Sequence, residues 1–353
     1  MVPRRLRASA LACAGAVALA LTVAGCKVSA PAAAPSATST GSAVAGQAAD
    51  PGVTRSGSLI IEPGAGFSPA YALINGARHT IDVTMYEFAD TTAEHDLAAA
   101  AARGVQVQVI LDHKEKRVNS SAFSYFRSHQ IKVTWSWSRF TYTHQKTLII
   151  DGSKALIMTA NLTSRYYSTS RDFLVVDTSQ ADVAAITAVF EADFAHKAVS
   201  PGDGADLAWS PTDSQDKLIG LINSATTSLR IYSEEMGDTA VENALIRAAQ
   251  RGVDVQVCGE NSGGEYDKAF AKLTQAGIHI SYYSSSTGFY IHGKVIEADY
   301  GTGHARIFIG SENFSSTSLN RNRELGLIIS DPSVMSAMAT TFAADFRNGT
   351  HFT

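Results

Sequence analysis

The sequence predicts an α/β protein made of two pseudo-symmetric halves that share one site. Three observations lead there. From about Gly57 to the C-terminus, apolar strand-like runs alternate with amphipathic helical segments, the pattern of layered α/β domains with buried sheets. Short strings recur 148 residues apart: Leu73-Ile74-Asn75 as Leu221-Ile222-Asn223, Arg103-Gly104-Val105 as Arg251-Gly252-Val253, and Glu87 and Asp90 as Glu235 and Asp238. A period this long is a duplicated domain, because solenoid repeats run to a few tens of residues. Finally, the duplicated unit carries a polar motif, His-x-Lys and after four residues Asp: His144, Lys146, Asp151 and again His292, Lys294, Asp299.

The N-terminus reads as an export signal. Arg4, Arg5 and Arg7 precede an apolar run, Ala8 to Ala20, that is too short to span a bilayer. Val23-Ala24-Gly25-Cys26 resembles a bacterial lipobox, which implies a signal peptide over 1–25, lipid on Cys26 and an exported, membrane-anchored protein. Residues 26–56, rich in Ala, Ser, Thr and Pro, have no apolar period and read as a flexible tether. With Cys13 in the signal and Cys26 lipidated, Cys258 stands alone, so no disulfide and no multi-cysteine metal site is expected in the folded part. It ends an apolar strand and reads as an inert core thiol. The chain has 29 basic and 33 acidic residues; without the three signal arginines the balance is 26 − 33 = −7. A protein that grips duplex nucleic acid usually carries a basic surface, so nucleic acid is not the expected partner.

Roughly 295 residues remain, enough for two domains. The expected domains are 57–200 and 208–353, with Pro201 to Ser210 as the junction. The first reads helix Ser68 to Asn75, strand Thr80 to Tyr86, helix Thr92 to Arg103, strand Val105 to Leu111, helix Ser121 to Ser128 and strand Ile131 to Trp137. Beyond His144 come strands Lys146 to Ile150 and Ala155 to Met158, joined by the hairpin signal Asp151-Gly152, then strand Phe173 to Val176 and helix Val183 to Phe194. The second half repeats this order: helix Leu218 to Ser224, strand Thr227 to Tyr232, helix Thr239 to Arg251, strand Val253 to Cys258, helix Asp267 to Gln275, strand Ile278 to Tyr283, the motif strands and helix Pro332 to Phe346.

Each motif is followed by a strand-like run ending in Asn, Asn161 and Asn313, and then by a basic–acidic pair, Arg171-Asp172 and Arg323-Glu324. Paired motifs in this order resemble the phospholipase D superfamily of phosphodiesterases and phosphatidyl transferases, over essentially the whole chain from Gly57 on. The resemblance implies mixed sheets flanked by helices and one active site shared between the two halves. The second copy has the family's usual Gly310-Ser311-x-Asn313; the first has Met158-Thr159 where Gly-Ser is usual but keeps Asn161. Thr159 and Ser311 are therefore candidate substrate-binding hydroxyls.

A phosphodiester is an anion with poor leaving groups, so its cleavage needs charge stabilisation, a nucleophile and a proton donor. Two histidines can divide the work: one attacks phosphorus and becomes a phosphohistidine, the other protonates the departing oxygen. Lys146, Lys294, Asn161 and Asn313 can serve the non-bridging oxygens, with neither metal nor other cofactor required. The resemblance implies that His144 is the nucleophile and His292 the acid and base, with Glu324 on His144 and Asp172 on His292. Asp151 and Asp299 read as structural, because the extended chain after Lys146 carries Asp151 roughly 13 Å or more from the histidine. His113, beside Lys114-Glu115-Lys116, reads as a solvated side chain. The aromatic runs ahead of each histidine (Trp135, Trp137, Phe140, Tyr142; Tyr282, Tyr283, Phe289, Tyr290) read as core or as an apolar cleft mouth.

The leading expectation is thus a monomeric, membrane-tethered enzyme, a phosphoric diester hydrolase or phosphatidyltransferase acting on the headgroup of phosphodiester lipids. The runner-up is an endonuclease of the same superfamily, against which the net charge counts. An inactive binding module ranks last, because both copies of His, Lys and Asn are present.

Overall fold

The computed structural model describes residues 59–353, all within one compact unit. The expected signal, Cys26 and tether lie outside the described residues. The first half runs β1 (Leu59–Glu62), α1 (Ser68–Gly76), β2 (Thr80–Met85), β3 (Phe88–Ala89), α2 (Thr91–Ala102), β4 (Gln106–Leu111), α3 (Lys116–Ser128), β5 (Lys132–Trp135), β6 (Thr147–Ile150), β7 (Lys154–Met158), β8 (Leu162–Thr163), β9 (Ser170–Asp177) and α4 (Gln180–Phe194). The second runs β10 (Leu207–Ser210), α5 (Ser214–Ser224), β11 (Ser228–Ser233), α6 (Thr239–Gln250), β12 (Asp254–Glu260), α7 (Asp267–Gln275), β13 (His279–Tyr283), β14 (Tyr290–Ile291), β15 (Val295–Ala298), β16 (Arg306–Gly310), α8 (Ser316–Arg321), β17 (Glu324–Ile329), α9 (Pro332–Asn348) and β18 (Thr350–His351).

The two large sheets have the same order: β1-β9-β7-β6-β2-β4-β5 and β10-β17-β16-β15-β11-β12-β13, the latter extended by β18. Each is mixed, with β2-β4-β5 and β11-β12-β13 parallel and the remaining neighbours on these paths antiparallel. The α/β class and the duplicated, mixed-sheet architecture expected from the sequence are therefore present. Matching caps open matching helices: Asp90 accepts from Thr92 N and Ala93 N at α2, and Asp238 from Ala240 N and Val241 N at α6. The spacing of equivalent residues grows from 148 at Asp151 and Asp299 to 152 at Asn161 and Asn313, because the β15–β16 hairpin closes on Ala298 and Arg306 whereas β6–β7 closes on Ile150 and Lys154.

Two details differ from expectation. The stretch read as the junction ends in β10, whose four residues are all buried and pair with β17; only the part before Leu207 links the halves. The Pro and Gly residues upstream masked a strand only four residues long. Helix α3 begins at Lys116, well ahead of the expected Ser121, since its first turn is polar and shows no apolar period.

One apolar cluster joins the halves. Ile149, Ile157, Phe173, Val175, Ile186 and Phe190 from the first pack with Trp209, Tyr232, Val295, Ile307, Leu325 and Phe342 from the second. The contact is a core rather than a surface, which fixes the two sheets as one body. Free Cys258 is fully buried here, and burial pushes its thiol well above the ordinary range.

Candidate active site

Each histidine is suspended from the opposite half. The backbone N–H groups of His144 and Gln145 both donate to the carbonyl of Arg323, at 2.9 Å, and that of His292 donates to the carbonyl of Arg171, at 3.1 Å. Short β14 pairs parallel with β9, and Thr143 forms a parallel bridge with Arg323, so each motif is stitched to the other half just before its histidine. The residue after each arginine then meets the imidazole: Glu324 Oε2 lies 2.8 Å from His144 Nδ1, and Asp172 Oδ1 lies 2.7 Å from His292 Nδ1. A carboxylate only accepts, so Nδ1 carries the proton and Nε2 is left for chemistry.

The acids are themselves anchored. Glu324 Oε1 accepts from Ser318 Oγ at 2.6 Å and Asn322 Nδ2 at 2.9 Å; Asp172 Oδ1 accepts from Thr159 Oγ1 at 2.6 Å. Burial would raise Glu324, but His144 and Lys146 outweigh it and hold the acid below the usual carboxylate range. Burial lowers His144, against the pull of Glu324, and so favours the neutral imidazole that a nucleophile requires.

Both lysines are buried and turn back on their own motif: Lys146 Nζ donates to His144 O at 2.6 Å and Lys294 Nζ to His292 O at 2.5 Å. Burial, only partly offset by Glu324, brings Lys146 down to about 7. His144 feels the charge of Lys294, and Lys146 that of Lys294, so the two motifs act on one electrostatic space. Asn161 and Asn313 each have a buried Oδ1 that has no hydrogen-bond partner. Gly293 lets this segment pass close to the core: a Cβ there would lie 2.7 Å from the buried Phe173 ring.

The two hydroxyls expected to bind substrate are engaged by neighbouring strands. Thr159 and Ser311 are fully buried; Thr159 serves Asp172 and accepts from Phe173 N at 2.9 Å, while Ser311 Oγ accepts from Leu325 N at 3.1 Å. They hold the strand that presents the acid. Asp151 and Asp299 sit at the hairpin turns with φ of 52° and 55° and bind backbone N–H groups, those of Arg78, His79 and Thr80 and those of Thr226, Thr227 and Ser228. His113, expected to be solvated, is half-buried with its Nδ1 3.1 Å from Ser136 Oγ. Among the aromatics, Trp135 stacks on Phe123 and Phe140 and Tyr283 are core, whereas Tyr290 reaches the site and Tyr142 lies edge-on to Tyr86.

Two site residues escaped the sequence reading. Tyr86 lies edge-on to the His144 ring at 4.6 Å, with Lys146 Nζ 5.1 Å from its centroid. At the equivalent place in the second half stands Glu234, whose Oε2 lies 2.5 Å from Lys294 Nζ and 3.5 Å from His292 Nε2, and whose Oε1 accepts from Tyr290 OH at 2.9 Å. Burial alone would push Glu234 up; His292 and Lys294 reverse this and hold it far below the usual range.

The family described as "Cardiolipin synthase, PLD-like domain" matches the chain twice, over residues 71–194 and 218–346. The chain belongs to this phospholipase D-like family. Cardiolipin synthase A of Pseudomonas aeruginosa is 27% identical over 127 residues, which is 35% of this chain and 26% of that protein. The match thus spans about a quarter of the relative's length. Among solved structures, phosphatidylserine synthase from Haemophilus influenzae Rd KW20 has 12% identity and a TM-score of 0.64, covering 82% of this chain and 86% of that one. Polyphosphate kinase from Porphyromonas gingivalis has 17% identity and a TM-score of 0.64, covering 82% of this chain and 50% of that one. At these identities the likeness is one of fold.

Proposed function

We propose that the protein is a phospholipase D-like enzyme that hydrolyses or exchanges the headgroup of phosphodiester lipids through a phosphohistidine. The observation that carries this is the reciprocal pairing of His144 with Glu324 and of His292 with Asp172, which leaves two Nε2 atoms beside two buried lysines. His144 is the nucleophile: its Nε2 bonds to phosphorus while the P–O bond to the headgroup breaks and His292 gives its Nε2 proton to the departing oxygen. In the second step His292 removes a proton from water or an alcohol, whose oxygen bonds to phosphorus as the P–N bond breaks. Glu324 offsets the positive charge on the phosphorylated imidazole throughout. Lys146, Lys294, Asn161 and Asn313 bind the non-bridging oxygens, where negative charge grows in the transition state.

Glu234 supports the assignment of roles, because a carboxylate facing Nε2 of His292 is a partner for a proton carried there, whereas His144 faces the Tyr86 ring. The matched relative, named a cardiolipin synthase, supports a lipid substrate. The lipobox at Cys26 adds to the proposal an exported enzyme held at the membrane, where a tether raises the effective concentration of lipid. The test is an assay of the full chain on a panel of phospholipid vesicles and on single-stranded DNA, with His144→Ala as control. Headgroup release from lipid, lost in the control, is expected; turnover of DNA alone would replace the lipid reading with the nuclease.

A further inference from the structure

The two half-sites match at His, Lys and Asn and differ in the residue laid against them: Tyr86 in the first, Glu234 in the second. The two ester arms of a lipid phosphodiester differ in the same sense. One leads to diacylglycerol, the other to a polar headgroup. Attack by His144 places the departing headgroup opposite it, on the His292 side, where Glu234 stands. Given the lipid reading above, on which this inference rests, we propose that Glu234 is a specificity-determining residue that selects a headgroup carrying an ammonium group.

Glu234 Oε2 lies between Lys294 Nζ, at 2.5 Å, and His292 Nε2, at 3.5 Å. A bound phosphate takes over Lys294, and His292 gives its Nε2 proton to the departing oxygen, so the carboxylate is left with one fixed partner, the Tyr290 hydroxyl on Oε1 at 2.9 Å. A half-buried carboxylate stripped of its cation requires another. A zwitterionic headgroup supplies it, presenting its phosphate to the lysines and its ammonium to Glu234. A neutral headgroup leaves the charge unmatched and an anionic one repels it. In the first half the residue at the position of Glu234 is Tyr86, whose phenol donates away to Glu115 at 3.1 Å.

The test compares phosphatidylcholine with phosphatidyl-3,3-dimethylbutanol, whose leaving alcohol is the neutral carbon isostere of choline, each at low mole fraction in the same host vesicles. The full chain is expected to favour choline by about tenfold or more in kcat/KM, and Glu234→Gln to bring the ratio close to one. Tyr290→Phe, which frees Oε1, is expected to lower the ratio in part and serves as the readout if Glu234→Gln does not fold. A wild-type ratio near one, or equal loss on both lipids in Glu234→Gln, overturns the proposal and reduces Glu234 to a positioning residue for Lys294, with the lipid reading intact. Failure of the wild type to cleave either lipid overturns the lipid reading and this proposal together.

Discussion

Arg323 Nε and Nη2 lie 2.8 and 3.1 Å from the two carboxylate oxygens of Asp193, a buried, two-pronged ion pair that joins the residue just before β17 to α4, the last helix of the first half. Arg171 and Asp345 repeat it in the opposite direction, at 2.7 and 2.9 Å. The same arginines offer the carbonyls that hold the opposite histidines, and their next residues are the histidine-bound acids. Docking of the halves and alignment of the imidazoles are thus one structural event.

Removing one partner of such a pair leaves a buried charge uncompensated. Asp193→Ala is expected to destabilise the fold by about 3–5 kcal/mol and to lower kcat more than KM, because Arg323 then no longer holds His144 in register. Thermal unfolding with steady-state kinetics on the folded fraction checks both. Full activity in a destabilised but folded variant would mean that the strand alone sets the histidine.

Asp299 is expected to matter for stability and not for chemistry. Its carboxylate gathers the N–H groups of Thr226, Thr227 and Ser228 and the hydroxyls of Thr226 and Thr227. Burial opposes ionisation, but these donors depress the acid strongly. Asp299→Asn keeps a side chain that tolerates positive φ while losing the charge, and is expected to cost about 2 kcal/mol. Because the folded acid is strongly depressed, its contribution is complete above its unfolded pKa of about 4 and is lost progressively as pH falls from there through the much lower folded value. Denaturant unfolding of wild type and variant from pH 3 to pH 7 should therefore show a gap that is constant near neutrality and begins to narrow below about pH 4.

The parts of the site legible in the sequence were those written twice. His, Lys, Asn and the paired acids recur in order, and the crosswise acids follow from the family resemblance. Glu234 and Tyr86 were hidden for the converse reason: a search for matching residues passes over the place where the halves differ. Asp193 and Asp345 do recur, 152 residues apart, but each sits near the end of a helix where an acid usually faces solvent. The hydrogen bonds that Thr159 and Ser311 make were not legible in the sequence. Their residue type suits phosphate, and only the register of β7 with β9 and of β16 with β17 turns them towards the acids.

Lys146 should leave a mark on the pH profile. With the amine brought down to about 7 in the free protein, it is charged below that pH and loses its charge above it, so kcat/KM is expected to fall as pH rises through about 7. An aryl phosphodiester, whose phenol departs without a proton, removes the contribution of His292 to the same limb. On that substrate Lys146→Arg is expected to lower the plateau and abolish the limb, because guanidinium stays charged. A limb that survives the substitution belongs to another group.

The anchor proposal stands on Val23-Ala24-Gly25-Cys26 alone. The mature N-terminus is expected at Cys26 with lipid attached, and Cys26→Ser to release much of the protein from membranes. Mass spectrometry of the N-terminal peptide decides: an unmodified terminus mapped elsewhere makes the lipobox coincidental.

The leaving group separates the two histidines. If His144 forms the covalent bond, His144→Ala is inactive on every substrate. If His292 is the acid, its loss matters most for a basic alkoxide, and an acidic phenol leaves without it. His292→Ala should then complete the first step on an aryl phosphodiester and stall, because the second step needs His292 as base. The expected result is a stoichiometric burst of phenol with acid-labile phosphoryl mass on the peptide that contains His144. Glu234 sharpens the expectation, since it offers His292 Nε2 a carboxylate at 3.5 Å while His144 has the Tyr86 ring edge-on at 4.6 Å. A burst from His144→Ala, with the label on the His292 peptide, would exchange the two roles and move the headgroup to the Tyr86 side of the cleft.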